Sequence, residues 1–102
     1  MKVKDELVDK ALAQLEMISD DNSYGYSLRT DNTDRHRFPI QDKFFLYIRV
    51  IDGFSAAGTY GKLIASFKNF TEFFNYVQDC VDFHNDSLVM SNEELFNKYY
   101  NK

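Results

Sequence analysis

Residues 43–53, Lys-Phe-Phe-Leu-Tyr-Ile-Arg-Val-Ile-Asp-Gly, decide how the chain folds. Phe44, Leu46, Ile48 and Val50 alternate with Phe45, Tyr47, Arg49 and Ile51. Successive side chains on a strand point to opposite faces, so these residues form two stripes. β-branched and aromatic residues suit such a pleated, half-buried surface. As a helix, the same stretch would carry apolar groups all round, which fits less well. The even stripe is purely apolar and is expected to face the core. The odd stripe mixes large rings with Arg49, and Lys43 extends it. Such a strand belongs at the centre of an antiparallel sheet with helices on one side.

On the N-terminal side, Tyr24, Tyr26, Leu28 and Thr30 alternate with Gly25, Ser27 and Arg29 and predict a second strand. A polar connection, residues 31–42, joins it to the central strand. It contains Arg35, His36, Arg37, Phe38 and Pro39, and the proline holds Phe38 extended. Arg35 and Arg37 can meet a phosphate or a carboxylate. Two arginines make a small footprint, and a solvated loop tip accounts for them. Residues 2–19 read as an amphipathic helix. Val3, Leu7, Ala11, Leu15 and Ile18 recur at helical spacing, and Val8 and Leu12 widen the stripe. That width suits core packing better than a coiled-coil seam. Lys2 with Glu6, and Glu6 with Lys10, are opposite charges four apart. Asp20, Asp21, Asn22 and Ser23 then make a turn. Asp20, Asn22 and Gly25, with Asp31 at the twelfth position, partly echo a calcium loop. Tyr24 stands where an oxygen ligand belongs, so no calcium site is expected.

On the C-terminal side, residues 53–61 hold three glycines and Ala56-Ala57 and lead to a third strand at 62–67. Gly61-Lys62 suggests a phosphate loop. Ala56 stands where that loop needs Gly, and Leu63 where it needs Ser or Thr, so a hairpin connection is the better reading. Phe54 and Tyr60 in it are candidate anchors for a partner. Asn69 caps a helix, with Glu72 three residues on. Phe70, Phe73, Phe74, Val77, Val81 and His84 keep helical spacing and are expected to lie across the sheet against Leu46 and Ile48. After a loop at 85–90, Ser91 to Glu94 is a capping box, with Met90 and Leu95 placed as a hydrophobic staple. Leu95, Phe96 and Tyr99 are expected to dock one side of this last helix, and residues 100–102 to fray. The expected architecture is a single α+β domain over 1–102, α-β-β-β-α-α, with a three-stranded antiparallel sheet packed against helices.

At 102 residues the chain has material for one core, and 17% aromatic content supplies it without metal or disulfide. Its single cysteine, Cys80, excludes an internal disulfide. The charged N-terminus lacks the apolar segment of a signal peptide, and no apolar run reaches bilayer length. A cytoplasmic setting is the expectation. The net charge of −4 is unevenly spread. The segments read as helices are acidic and the sheet region is mildly basic.

Cys80 and His84 are four apart, a spacing that can hold a metal, but two ligands are too few. A buried cysteine and a helix-end histidine explain them better. Asp79 with Asp82 or Asp86 are paired carboxylates on an exposed helix face, where nothing raises a pKa. No nucleophile elbow, zinc-protease helix or dinucleotide fingerprint occurs. No enzyme activity, cofactor or metal is expected.

The element order, the small size, the Phe/Tyr/Asn-rich composition and the run Ile64-Ala65-Ser66-Phe67-Lys68-Asn69 into an acidic helix have a counterpart. Together they resemble small phage-encoded anti-CRISPR proteins of type II systems. An abundance of Asn, Lys, Phe, Tyr and Ile goes with a low-GC genome such as a Firmicute or its phages. The resemblance implies a protein that binds a Cas nuclease and blocks its DNA or guide site, often with acidic groups imitating phosphates. It carries over no individual residue, and −4 is a modest charge for a phosphate mimic. The leading expectation is a non-catalytic protein-binding inhibitor. Glu72, Asp79, Asp82, Asp86, Glu93 and Glu94 would meet a basic partner such as a nuclease. The alternative is a single-stranded nucleic-acid binder, with Phe45, Tyr47 and Arg49 on one strand face, and Lys43 and Arg29 nearby. A homodimer through that face, an adaptor or an immunity protein are further readings. For Phe45, Tyr47 and Ile51 the structural alternative is that the N-terminal helix covers them, sandwiching the sheet.

Overall fold

The computed structural model describes residues 2–19, 24–32, 38–50 and 61–100. Its elements are α1 (Glu6–Ile18), β1 (Tyr24–Arg29), β2 (Phe44–Val50), β3 (Lys62–Phe67), α2 (Phe70–Ser87) and α3 (Asn92–Tyr99). The order is the α-β-β-β-α-α expected from the sequence, in the α+β class. The sheet is antiparallel, in the order β1-β2-β3, with β2 central. The turn and calcium-loop echo at 20–23, Arg35, His36 and Arg37, the loop 51–60 with Ile51, Phe54 and Tyr60, and residues 101–102 lie outside the described residues.

Leu46 and Phe44 of the even stripe pack into the core built by both helices, whereas Ile48, expected beneath α2, is only half-buried and outside that cluster. Register sets Leu28 opposite Leu46, and Phe67 opposite Phe44, so these side chains share a face. α1 adds Val8, Ala11, Leu12 and Leu15, and α2 adds Phe73 and Val77, around a fully buried Leu46. Phe67 packs edge-on to Phe73 at 5.5 Å and to Tyr76 at 5.4 Å. Edge-to-face pairs satisfy the ring quadrupoles and add to the burial gain.

α1 begins at Glu6, later than residue 2, because Asp5 caps it. The Asp5 carboxylate accepts from the amides of Leu7 at 2.8 Å and Val8 at 3.3 Å. Lys2 and Val3 are therefore not helical. The Val3 N–H donates to the Leu28 oxygen at 2.9 Å, and Lys2 bridges Arg29. The Lys2–Glu6 pairing expected within a helix lapses, while Lys10 and Glu6 do meet at 3.8 Å. Further along β1, the Tyr26 N–H donates to the Glu16 carboxylate at 3.4 Å. These contacts occupy donors and acceptors that an edge strand would otherwise leave open.

β3 departs from strict alternation. Its register with β2 slips between Leu46 and Tyr47, leaving Ile64 as the extra residue of a bulge. Ile64 and Ala65 then both pack on the helical side, and Leu63 turns to the other face beside Tyr47. Gly61 sets up the approach. Its φ is +79°, and a β-carbon there would stand 2.3 Å from the Ile48 carbonyl oxygen.

The odd stripe of β2 is not an open face. Phe45 and Tyr47 are 4% and 1% exposed and form a second small core with Leu63, against which Phe38 packs. The Tyr47 hydroxyl donates to the Asp31 carbonyl oxygen at 2.6 Å. The helices share one side of the sheet, so α1 is not what covers these rings. The chain arriving through Phe38 contributes to the cover, and the Ser66 hydroxyl is tied to the Asp42 carboxylate on the same side.

Candidate functional site

Burial removes two predicted contact residues from the surface. Phe45 and Tyr47 present no ring face to a base or a partner, so the stacking platform expected on the sheet does not form. Arg49 is exposed but stands without those rings. Arg29, placed on the neighbouring strand, engages Asp31 at 3.5 Å.

The acidic residues remain outside. At 100° per residue, Glu72, Asp79 and Asp86 recur every seventh position and align along one stripe of α2, with Asp82 beside them. Four of the six acidic residues have hydrogen-bond partners. Glu72 accepts from the Lys68 amide at 2.8 Å while Asn69 accepts from the Glu72 amide at 2.9 Å, which fixes the first turn of α2. Glu94 and Ser91 make the reciprocal capping box that starts α3. Asp86 accepts from Lys98 at 2.6 Å and from the Tyr99 hydroxyl at 2.5 Å. Asp82 accepts from the Gln78 amide at 2.9 Å, and neither it nor Asp79 has an ion pair among the described residues.

The electrostatics follow these contacts. Hydrogen bonds from Lys98 and then Tyr99 hold the Asp86 carboxyl below its ordinary value. The Tyr99 hydroxyl is pushed up to about 12, first by its bond to Asp86 and further by the charges of Asp86, Asp82 and Asp79. Three carboxylates therefore project one field onto the α2–α3 junction. A cleft of about 560 Å³ opens there between Asp79, Asp82, Asn85, Asp86, Lys98 and Tyr99.

α3 buries none of its residues. It is held by Asp86 and by Tyr99, whose ring meets Phe83 edge-on at 5.0 Å. Leu95 and Tyr99 are half-buried as expected. Phe96, expected to dock, is 57% exposed and stacks on Tyr100 at 5.6 Å, itself 76% exposed. Sequence reading missed this outward ring pair. Its signal was the four-residue spacing of Phe96 and Tyr100, out of phase with Leu95 and Tyr99.

Compared with known proteins, the chain matches no family, no curated protein and no solved structure.

Cys80 and His84 do share a surface. Both line a groove of about 510 Å³ between the end of α1, the sheet and the C-terminal half of α2. Burial pushes the Cys80 thiol up, against a lowering contact with Tyr76. Burial likewise takes the Tyr76 phenol to about 12. Burial thus disfavours the charged form of both groups. No group of three His, Cys, Asp or Glu side chains gathers as metal ligands among the described residues. Among them, too, no helix is long and apolar enough to cross a membrane.

Proposed function

We propose that this chain is a non-catalytic inhibitor that binds a protein partner through the acidic stripe of α2 and the start of α3. The partner is a nucleic-acid enzyme with a basic site, and a type II Cas nuclease is the instance the resemblance suggests. One observation carries the reading. Asp79, Asp82 and Asp86 converge on a solvent-facing cleft, and only Asp86 has an ion pair there among the described residues. Such a field speeds encounter with a basic surface and weakens with salt. Glu93 and Glu94 extend the charge onto the first turn of α3. Asp86 is the least available of the six predicted contacts, since Lys98 already balances it. A cytoplasmic setting belongs to this reading.

The test is DNA cleavage by a reconstituted type II nuclease–guide complex with the protein added. Inhibition that fades with rising salt supports the proposal. Full cleavage at low salt, with no complex on gel filtration, overturns it for this class of partner. Substituting Asp79→Asn and Asp82→Asn together should weaken inhibition. Each exposed carboxylate is worth about 0.2–1 kcal/mol.

A further inference from the structure

We infer that the groove beneath the C-terminal half of α2, with Phe96 and Tyr100 beside it, receives a basic amphipathic helix of the partner. The inference rests on the proposed function for the existence of that partner and adds where its apolar face goes. The groove is walled by Leu15, Ile18, Tyr26, Ile64 and Phe83, and its volume is that of a site for several apolar side chains. Only Phe73 and Val77 of α2 are buried, so the second half of this helix overhangs the sheet with no side chain fully covered.

Helical spacing relates the groove to the exposed rings. On α2, Asp82 and Asp86 lie to one side of Phe83, while the groove residues Cys80 and Ser87 lie to the other. Tyr99 sits on Phe83, so α3 runs over that line. Lys98 takes the acidic side. Phe96 and Tyr100 are each two residues from Lys98, about 200° around the helix, so they take the flank of α3 turned away from Asp86, the groove side of Phe83. Exposed stacked aromatics next to an apolar channel are the composition of an interface centre.

Charge selects the occupant. Asp79 stands on the groove rim, and Glu93 shares the helix face of Phe96 and Tyr100 at i, i+3 and i+7. α1, the opposite wall, has no basic residue in its last turn. An apolar helix face bordered by Lys or Arg matches this surface in the helix-in-groove mode. A second copy of this chain matches it poorly. The net charge is −4, and a two-fold contact would set the same acids against each other.

The test uses three synthetic helical peptides of about 18 residues, long enough to hold a helix. One has a Leu stripe with Lys flanks, one a Leu stripe with Glu flanks, and one a Gln stripe with Lys flanks. Binding is read by fluorescence anisotropy and by amide shifts in the protein. Expected is binding of the Leu/Lys peptide, with shifts at Leu15 and Ile64 and none for the Leu/Glu peptide. The double variant F96S/Y100S should weaken that binding about tenfold or more while its melting temperature stays put, because both rings are exposed. Equal binding by wild type and variant, or shifts that avoid the groove, overturns the inference. If the Gln/Lys peptide binds as tightly as the Leu/Lys peptide and is lost with salt, the acidic-stripe reading stands and this inference falls. If no Lys-flanked peptide binds, both fall. A wild-type dimer in light scattering that F96S/Y100S dissociates assigns the surface to a second copy and also overturns it.

Discussion

Tyr47 joins two parts of the chain with one side chain. Its ring fills the second core, and its hydroxyl satisfies the Asp31 carbonyl oxygen. Tyr47→Phe keeps the ring and removes the donor, so chemical denaturation should show a loss of about 0.5–1.5 kcal/mol. Phe45→Ala should cost more, about 3–5 kcal/mol, because a void opens between Tyr47 and Leu63. Both losses would appear in the unfolding free energy before any partner is added, the mark of core residues. Gly61→Ala faces a positive φ and a backbone oxygen in the way. Its penalty for the φ alone is about 1–3 kcal/mol, and the collision adds to it. A thermal melt should place it well below wild type.

At the scale of elements, α3 depends on a carboxylate. Asp86 has a depressed native value, so the stability it lends is present above its unfolded value of about 3.9 and is lost as pH falls through the native one. Glu94 in the capping box moves the same way, held down first by the Ser91 amide. Tyr99 is raised to about 12, so its share persists through neutral pH and is lost only as pH rises through that value. α3 should therefore loosen below about pH 4, ahead of the sheet. NMR signals of Phe83 and Tyr99 during acid titration check this, and Lys98→Ala should move the loosening to higher pH. The caps of α2 and α3 were legible because Asn69, Ser91 and Glu94 state their geometry locally, while the Asp5 cap of α1 was missed. β2 was legible because its seven residues, Arg49 apart, are aromatic, β-branched or leucine. The bulge in β3 was not, since Leu63 to Phe67 alternates equally well when flat, and only the demand for Ile64 on the helical side selects the slip. The cover over Phe45 and Tyr47 was not either. It comes partly from Phe38, an aperiodic residue whose destination is set by tertiary contact. The rings themselves were the available hint, because a central strand with aromatics on both stripes calls for two covers.

Across the whole molecule, one sheet separates a large helical core from a small one, and the acidic groups gather on the helical half. Asp79 and Asp82, of the proposed contacts, thereby stand apart from the residues of either core. Asp79→Asn with Asp82→Asn should leave the melting temperature within experimental error while lowering the rate of association with a basic partner, measured by stopped flow at two salt concentrations. The contacts along β1 bear on solution behaviour. Val3 and Glu16 occupy backbone groups on the outer margin of the sheet. A chain shortened by residues 2–4 would leave the Leu28 oxygen looking for a new donor. The nearest source in a concentrated solution is the same margin of a neighbouring molecule, so loss of residues 2–4 should raise self-association, read by light scattering against concentration.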